Sequence, residues 1–199
     1  MHTMFTEPHS TREQKGWIEV ICGSMFSGKT EELIRRLRRA EIAQKRISIF
    51  KPRMDVRYHE TDIVSHNANN VPSIPVSHSS EILLLANDAE VIAIDEAQFF
   101  DEGILEVAQA LAARGIRVIV GGLDMDYLGK PFGPMPMLMA AAEYVTKLHA
   151  ICIVCGDIAS HSFRTVPDSK RMLLGETDSY QARCRMCFAQ GMANATKKP

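Results

Sequence analysis

Apolar and polar positions along this chain follow two periods in turn. Short, β-branched apolar runs at Trp17-Ile18-Glu19-Val20-Ile21, Ile47-Ser48-Ile49-Phe50, Val91-Ile92-Ala93-Ile94 and Ile116-Arg117-Val118-Ile119-Val120 read as strands. Helical spacing fills the gaps between them. Thr30 to Gln44 reads as a helix that turns Leu33, Leu37 and Ala40 to the core, and Ser80 stands at the N-cap of Glu81 to Ala86. Ile104, Val107, Ala108 and Leu111 form an i, i+3, i+4, i+7 stripe that stops at Gly115; Pro134 to Glu143 makes a further helix and Tyr144 to Leu148 a last strand. Near-continuous apolar strands alternating with helices predict an α/β domain on a mostly parallel sheet covered on both faces.

Four segments follow. Residues 1–15 have no period and many polar groups, the pattern of a loose tail; 16–150 form the α/β domain; 151–190 form an appendage; 191–199 form a C-terminal tail. In the appendage two Cys pairs enclose a polar stretch with His161, Arg164, Pro167, Asp168, Ser169, Lys170 and Arg171.

At 199 residues and 46% hydrophobic, the chain suffices for one buried core plus a small extra module. A formal net charge of −1 offers no global attraction to polyanions, so no nucleic-acid partner is expected. Arg35, Arg36, Arg38 and Arg39 form the one dense basic cluster, read here as a solvated or subunit-facing side of the first helix. No stretch approaches the roughly 20 apolar residues of a membrane span, and the polar start lacks the apolar core of a signal peptide. The expectation is a cytoplasmic protein with no membrane partner.

Chemistry enters at Gly23-Ser24-Met25-Phe26-Ser27-Gly28-Lys29-Thr30, which matches G-x-x-x-x-G-K-[ST] between a strand and a helix. Such a loop curls backbone N–H groups around a polyanion at the positive end of the helix dipole, with Lys29 reaching the β/γ-phosphates of a nucleoside triphosphate and Thr30 holding Mg²⁺. Asp95 and Glu96 follow a strand, at the carboxyl edge where ligands of open α/β sheets gather. Asp95 is assigned to the metal and Glu96 to the proton of an attacking hydroxyl. Gly121-Gly122 ends another strand and is read as close backbone approach to a ligand. The aromatics Phe99, Phe100, Tyr127, Phe132 and Tyr180 suit a planar base and core lining alike.

Cys152-x-x-Cys155 and Cys184-x-x-Cys187 have the pair spacing of a four-thiolate zinc site. With 28 residues between the pairs, the Zn²⁺ is expected to fix the base of a long loop. All ligands being Cys, the site is closed and structural. Cys22, at a strand end, reads as a small core residue.

Together, the P-loop, Asp95-Glu96-Ala97-Gln98-Phe99-Phe100, Gly122-Leu123-Asp124, Pro131-Phe132-Gly133 and the two Cys pairs resemble the cytosolic, zinc-containing thymidine kinase family, from about Trp17 to Phe188. The resemblance implies a RecA-like P-loop domain with a zinc-stapled lasso lid, ATP-dependent 5′-phosphorylation of thymidine, a homotetramer, and feedback inhibition by thymidine triphosphate. It makes Glu96 the general base and implies that Gly23 to Thr30, Asp95, Gln98 and Arg57 bind ATP and Mg²⁺. Phe99, Tyr127, Phe132 and Tyr180 would surround the pyrimidine, with Met25, Leu123 and Ser162 around its 5-methyl group.

Ser162 departs from the family's common Thr and Tyr127 from its common Phe, while Cys187 stands where some relatives have His. A lost methyl is worth about 1–3 kcal/mol of discrimination, which leaves thymidine preferred and opens the pocket toward deoxyuridine. A competing reading is a RecA-like ATPase whose zinc module binds nucleic acid through Arg35 to Arg39; the near-neutral charge counts against it. A nucleoside monophosphate kinase would need a lid richer in arginine than Arg164, Arg171, Arg183 and Arg185 provide.

Overall fold

A computed structural model describes residues 15–53, 62–64, 70–166 and 179–195. Strands β1 (Trp17–Gly23) and β2 (Ile47–Pro52) flank helix α1 (Lys29–Ile42) in sequence. β3 (Asp62–Val64) and β4 (Asn70–Pro72) pair antiparallel as a separate ribbon. β5 (Ile74–Val76), α2 (Glu81–Leu85), β6 (Val91–Ile94), α3 (Ile104–Ala113), β7 (Arg117–Gly122), α4 (Met135–Ala141) and β8 (Tyr144–Leu148) complete the α/β domain. The sheet has the order β5-β2-β6-β7-β1-β8, and each of its pairings is parallel.

The period of two in the strands sorts the core into two layers. Ile18, Val20 and Cys22 of β1, with Ile92, Ile94, Val118 and Val120, pack under Ile82, Ile104, Leu111, Met135 and Leu138 of α2, α3 and α4. Ile21, Ala93 and Ile119 face the other way, against Leu33, Ile34, Leu37 and Ala40 of α1. Full burial of each such side chain contributes about 1.5–3 kcal/mol.

Glu19 and Arg36 break the apolar pattern at the centre of the α1 layer. Both are completely buried, with Arg36 Nη1 donating to Glu19 Oε2 at 2.8 Å and Arg117 Nε donating to Glu19 Oε1 at 2.7 Å. Arg36 also reaches Glu32 Oε1 and Thr146 Oγ1, so its fork is shared among a strand, its own helix and the edge strand β8. The expectation of a solvated or subunit-facing arginine side is corrected at Arg36, which lies three residues after Leu33, on the core stripe. Arg35 pairs with Glu32 at 2.6 Å, and Arg38 and Arg39 are exposed.

Ser80 makes no side-chain cap. Glu81 Oε1 instead accepts the N–H groups of Ser77 and His78 at 2.9 and 2.8 Å, because its carboxylate folds back over the helix start. Past β8 the chain forms β9 (Ala150–Ile151), β10 (Ile158–Ala159), β11 (His161–Arg164), β12 (Tyr180–Arg183) and α5 (Arg185–Ala195). β9 pairs with β10 and β11 with β12, both antiparallel. Helix α5 runs to Ala195, so the segment read as a tail from 191 is helical for five further residues. No helix among the described residues is long and apolar enough to cross a membrane.

Candidate active site

Strands β6, β7 and β1 are neighbours, so their carboxyl ends bring Asp95-Glu96, Leu123-Asp124 and the Gly23–Thr30 loop to one edge. The loop's shape follows from its glycines. Gly23 has φ 142°, and a Cβ there would lie 2.3 Å from the Leu148 carbonyl oxygen of β8. Gly28, at φ 84°, turns the chain into α1, whose unpaired N–H groups open toward the same edge.

Lys29 Nζ donates to the Ser24 carbonyl at 2.8 Å, across the loop it belongs to. Burial lowers its pKa, while the carboxylates of Glu96, Asp95 and Asp124 act in the opposite sense. Asp95 is pushed up to about 7, first by burial and then by the neighbouring Glu96 carboxylate, against Lys29 and Lys51. Glu96 is exposed and left-handed at φ 52°. Asp124 is buried and pairs with Lys147 of β8 at 2.6 Å, over the root of the loop at Cys22. Cys22 is buried, as expected of a core residue, and burial plus Asp124 push its thiol up to about 11.

The glycine pair needs a different explanation from the one its sequence suggested. A Cβ at Gly121 would come within 3.1 Å of Asp95 Oδ1, and one at Gly122 within 2.7 Å of both Gln98 Oε1 and Met135 Sδ. The space is taken by the protein's own side chains, an acid on one face and an amide on the other.

The loop aromatics separate into three groups. Phe99 and Phe132 meet edge to face at 5.4 Å, and Phe100 is buried in the core. Tyr127 and Tyr180 lie on either side of Arg164, whose guanidinium sits 3.7 Å from the Tyr127 ring centroid and donates from Nη2 to the Tyr180 hydroxyl at 2.8 Å. Ser162, on β11, accepts the Met25 N–H at Oγ at 3.0 Å. That bond ties the appendage to the P-loop.

In the appendage the four sulfurs of Cys152, Cys155, Cys184 and Cys187 lie within 4.8 Å of one another. A tetrahedral zinc with bonds of about 2.3 Å requires sulfurs about 3.7 Å apart, so the donor set fits that ion. Both pairs sit on tight turns: Gly156 N–H donates to the Cys152 carbonyl at 2.8 Å, and Cys187 N–H approaches Cys184 Sγ at 3.5 Å. Burial works to raise the Cys152 thiol, but N–H groups of Cys184, Cys155 and Val154 together bring it down to about 6.

The family model described as Thymidine kinase matches residues 16–188. A thymidine kinase of Rhodothermus sp. is 63% identical over 173 residues, 87% of this chain and 81% of that protein. Those of Porphyromonas gingivalis and Bacteroides thetaiotaomicron are 57% and 53% identical, over 90% and 98% of this chain and 88% and 98% of theirs. The chain belongs to the thymidine kinase family.

Within this thymidine kinase family fold, Gly23 to Thr30, Asp95, Glu96, Gln98, Leu123 and Ser162 share one region, through the sheet edge and the bonds Gln98–Leu123, Gln98–Glu96 and Met25–Ser162. Arg57 and the stretch from Pro167 to Arg171 lie outside the described residues. Sequence reasoning missed Lys147 and the bridging role of Arg164. Lys147 is on the edge strand, and only the order β7-β1-β8 brings it to Asp124. Arg164 carried a signal, a lone arginine within a strand-length run between Ser162 and Thr165, but its partners are remote in sequence.

Proposed function

We propose that the protein transfers the γ-phosphoryl group of ATP to the 5′-hydroxyl of thymidine. The observation that carries this reading is the convergence of the Gly23–Thr30 loop, Asp95 and Glu96 on one sheet edge in a chain so closely related to thymidine kinases. The N–H groups at the start of α1 receive the triphosphate, and Lys29 balances its charge. Thr30 and Asp95 would hold Mg²⁺, and the family resemblance adds Arg57 as a further group for the phosphates. Bound there, Mg²⁺ would supply positive charge against the negative charge that develops on the phosphates.

Glu96 takes the proton of the 5′-hydroxyl as that oxygen bonds to the γ-phosphorus and the bond to the ADP oxygen breaks. Its exposed carboxylate can meet an acceptor from outside while Asp95 remains within. Phe99, Phe132, Tyr127 and Tyr180 enclose the pyrimidine; Met25, Leu123 and Ser162 line its 5-methyl group. The appendage, residues 151–190 in this reading, is a lid whose four cysteines hold a structural Zn²⁺ at the root of a lasso. Thymidine triphosphate unites a base for the acceptor side with phosphates for the donor side, which supports feedback inhibition. A cytoplasmic homotetramer completes the proposal.

The test is γ-phosphate transfer from ATP to thymidine by wild type and Glu96→Gln. Wild type should form thymidine monophosphate, and the variant should lose at least about 10²-fold in kcat. No product from wild type overturns the activity; near-normal turnover by Glu96→Gln overturns the base.

A further inference from the structure

Gln98 is a buried amide, 3% exposed, that no part of the mechanism above employs. Its Oε1 accepts the Leu123 N–H at 2.9 Å, and its Nε2 donates to Glu96 Oε2. The orientation of the amide is fixed: a backbone N–H can only donate, so the oxygen must face Leu123 and the NH₂ must face Glu96. Two glycines give this residue its place, Gly122 against its side chain and Gly133 against its backbone. A Cβ at Gly122 would approach Gln98 Oε1 to 2.7 Å, and one at Gly133 would reach its backbone carbonyl at 2.3 Å.

We infer that Gln98 is a positioning residue that aims the Glu96 carboxylate at the acceptor hydroxyl, rather than a ligand of ATP. The inference rests on Glu96 as the base. Two features of the geometry give it force. Glu96 is exposed and its backbone is left-handed, so neither packing nor regular structure holds its side chain. The amide that touches it is anchored at Leu123, just past the end of β7, so the carboxylate is referenced to the segment carrying Leu123 and Asp124. With Oε2 engaged, Oε1 is the oxygen left to take a proton. Among the described residues, the charged groups that act on or with Glu96 are Asp95, next in the chain, and Lys29, from the P-loop.

Because both ends of the amide are engaged within the protein, it has one further N–H at most to offer a nucleotide. The effect of losing it should therefore fall on turnover.

The experiment compares wild type, Gln98→Leu, Gln98→Glu, Glu96→Gln and the double variant Glu96→Gln/Gln98→Leu as full chains with MgATP and thymidine. Expected for Gln98→Leu is a kcat lower by roughly 10- to 100-fold, with KM for ATP and thymidine within about threefold of wild type. The double variant should be no slower than Glu96→Gln alone, since Gln98 acts through Glu96. Gln98→Glu keeps the shape and the acceptor for Leu123 N–H while removing the donor, and should show the same loss even if Gln98→Leu does not fold. Wild-type kcat in a folded Gln98 variant overturns the inference, as does a raised KM for ATP at unchanged kcat. Full activity in Glu96→Gln overturns the base assignment; a large loss there beside neutral Gln98 variants sinks the positioning role only.

Discussion

Asp95 carries a cost that its neighbours only partly offset. A carboxyl that titrates near 7 in the fold and near 4 in the unfolded chain binds more protons in the native state between those values. Its folded pKa is raised, so its contribution to stability is full below about pH 4 and is lost as pH rises toward 7. Asp95→Asn should therefore raise the melting temperature of the ligand-free protein at pH 8 clearly more than at pH 5.5. Equal gains at both pH values, or none, would show that the carboxyl is not strained. Arg36 presents the opposite balance: its fork is filled by Glu19, Glu32 and Thr146, and three elements share it. A buried charge set of this kind is tolerable only with its partners in place.

At the level of elements, β11 is the joint between the appendage and the α/β domain. It pairs with β12 in the sheet sense, yet its Ser162 hydroxyl receives an N–H from the P-loop. His161, beside it, is buried and stacked on Phe188 of α5 at 4.5 Å, and burial lowers its pKa. Ser162→Ala would leave the Met25 N–H without that acceptor, a penalty of about 1–3 kcal/mol if no water replaces it. Because the bond joins the donor loop to the acceptor-side module, KM should rise several-fold for ATP and thymidine together, in steady-state titrations of each. A rise for thymidine alone would mean that Ser162 serves the base and not the joint. The strands β1, β2, β6, β7 and β8 and the helices α1, α3 and α4 were legible from their periods, within a few residues at each end. β5, β9 and β10, of two or three residues each, were not, because so short a run has no period to read; they exist by pairing with β2 and with each other.

For the molecule as a whole, acceptor choice is where the chain's own substitutions should be felt. Ser162 presents one methyl fewer than Thr, a difference of about 1 kcal/mol, the low end for one methylene-sized contact. In a competition among thymidine, deoxyuridine and deoxycytidine, thymidine should lead deoxyuridine by a modest factor and deoxycytidine should trail both; equal use of deoxycytidine would contradict the pocket assignment. The sequence by itself determined the parallel α/β class, the P-loop, the acids at the end of β6 and the four clustered cysteines, because each is written in local spacing or period. Tertiary structure decided what spacing does not encode. Strand order set Asp124 against Lys147, and the α1 stripe drew Arg36 inward to Glu19. The glycine pair at the end of β7, legible as a need for space, acquired its meaning only when Asp95 and Gln98 were found to fill it. Contacts between residues far apart in sequence depend on how the sheet is ordered, and strand order is a property of the assembled core.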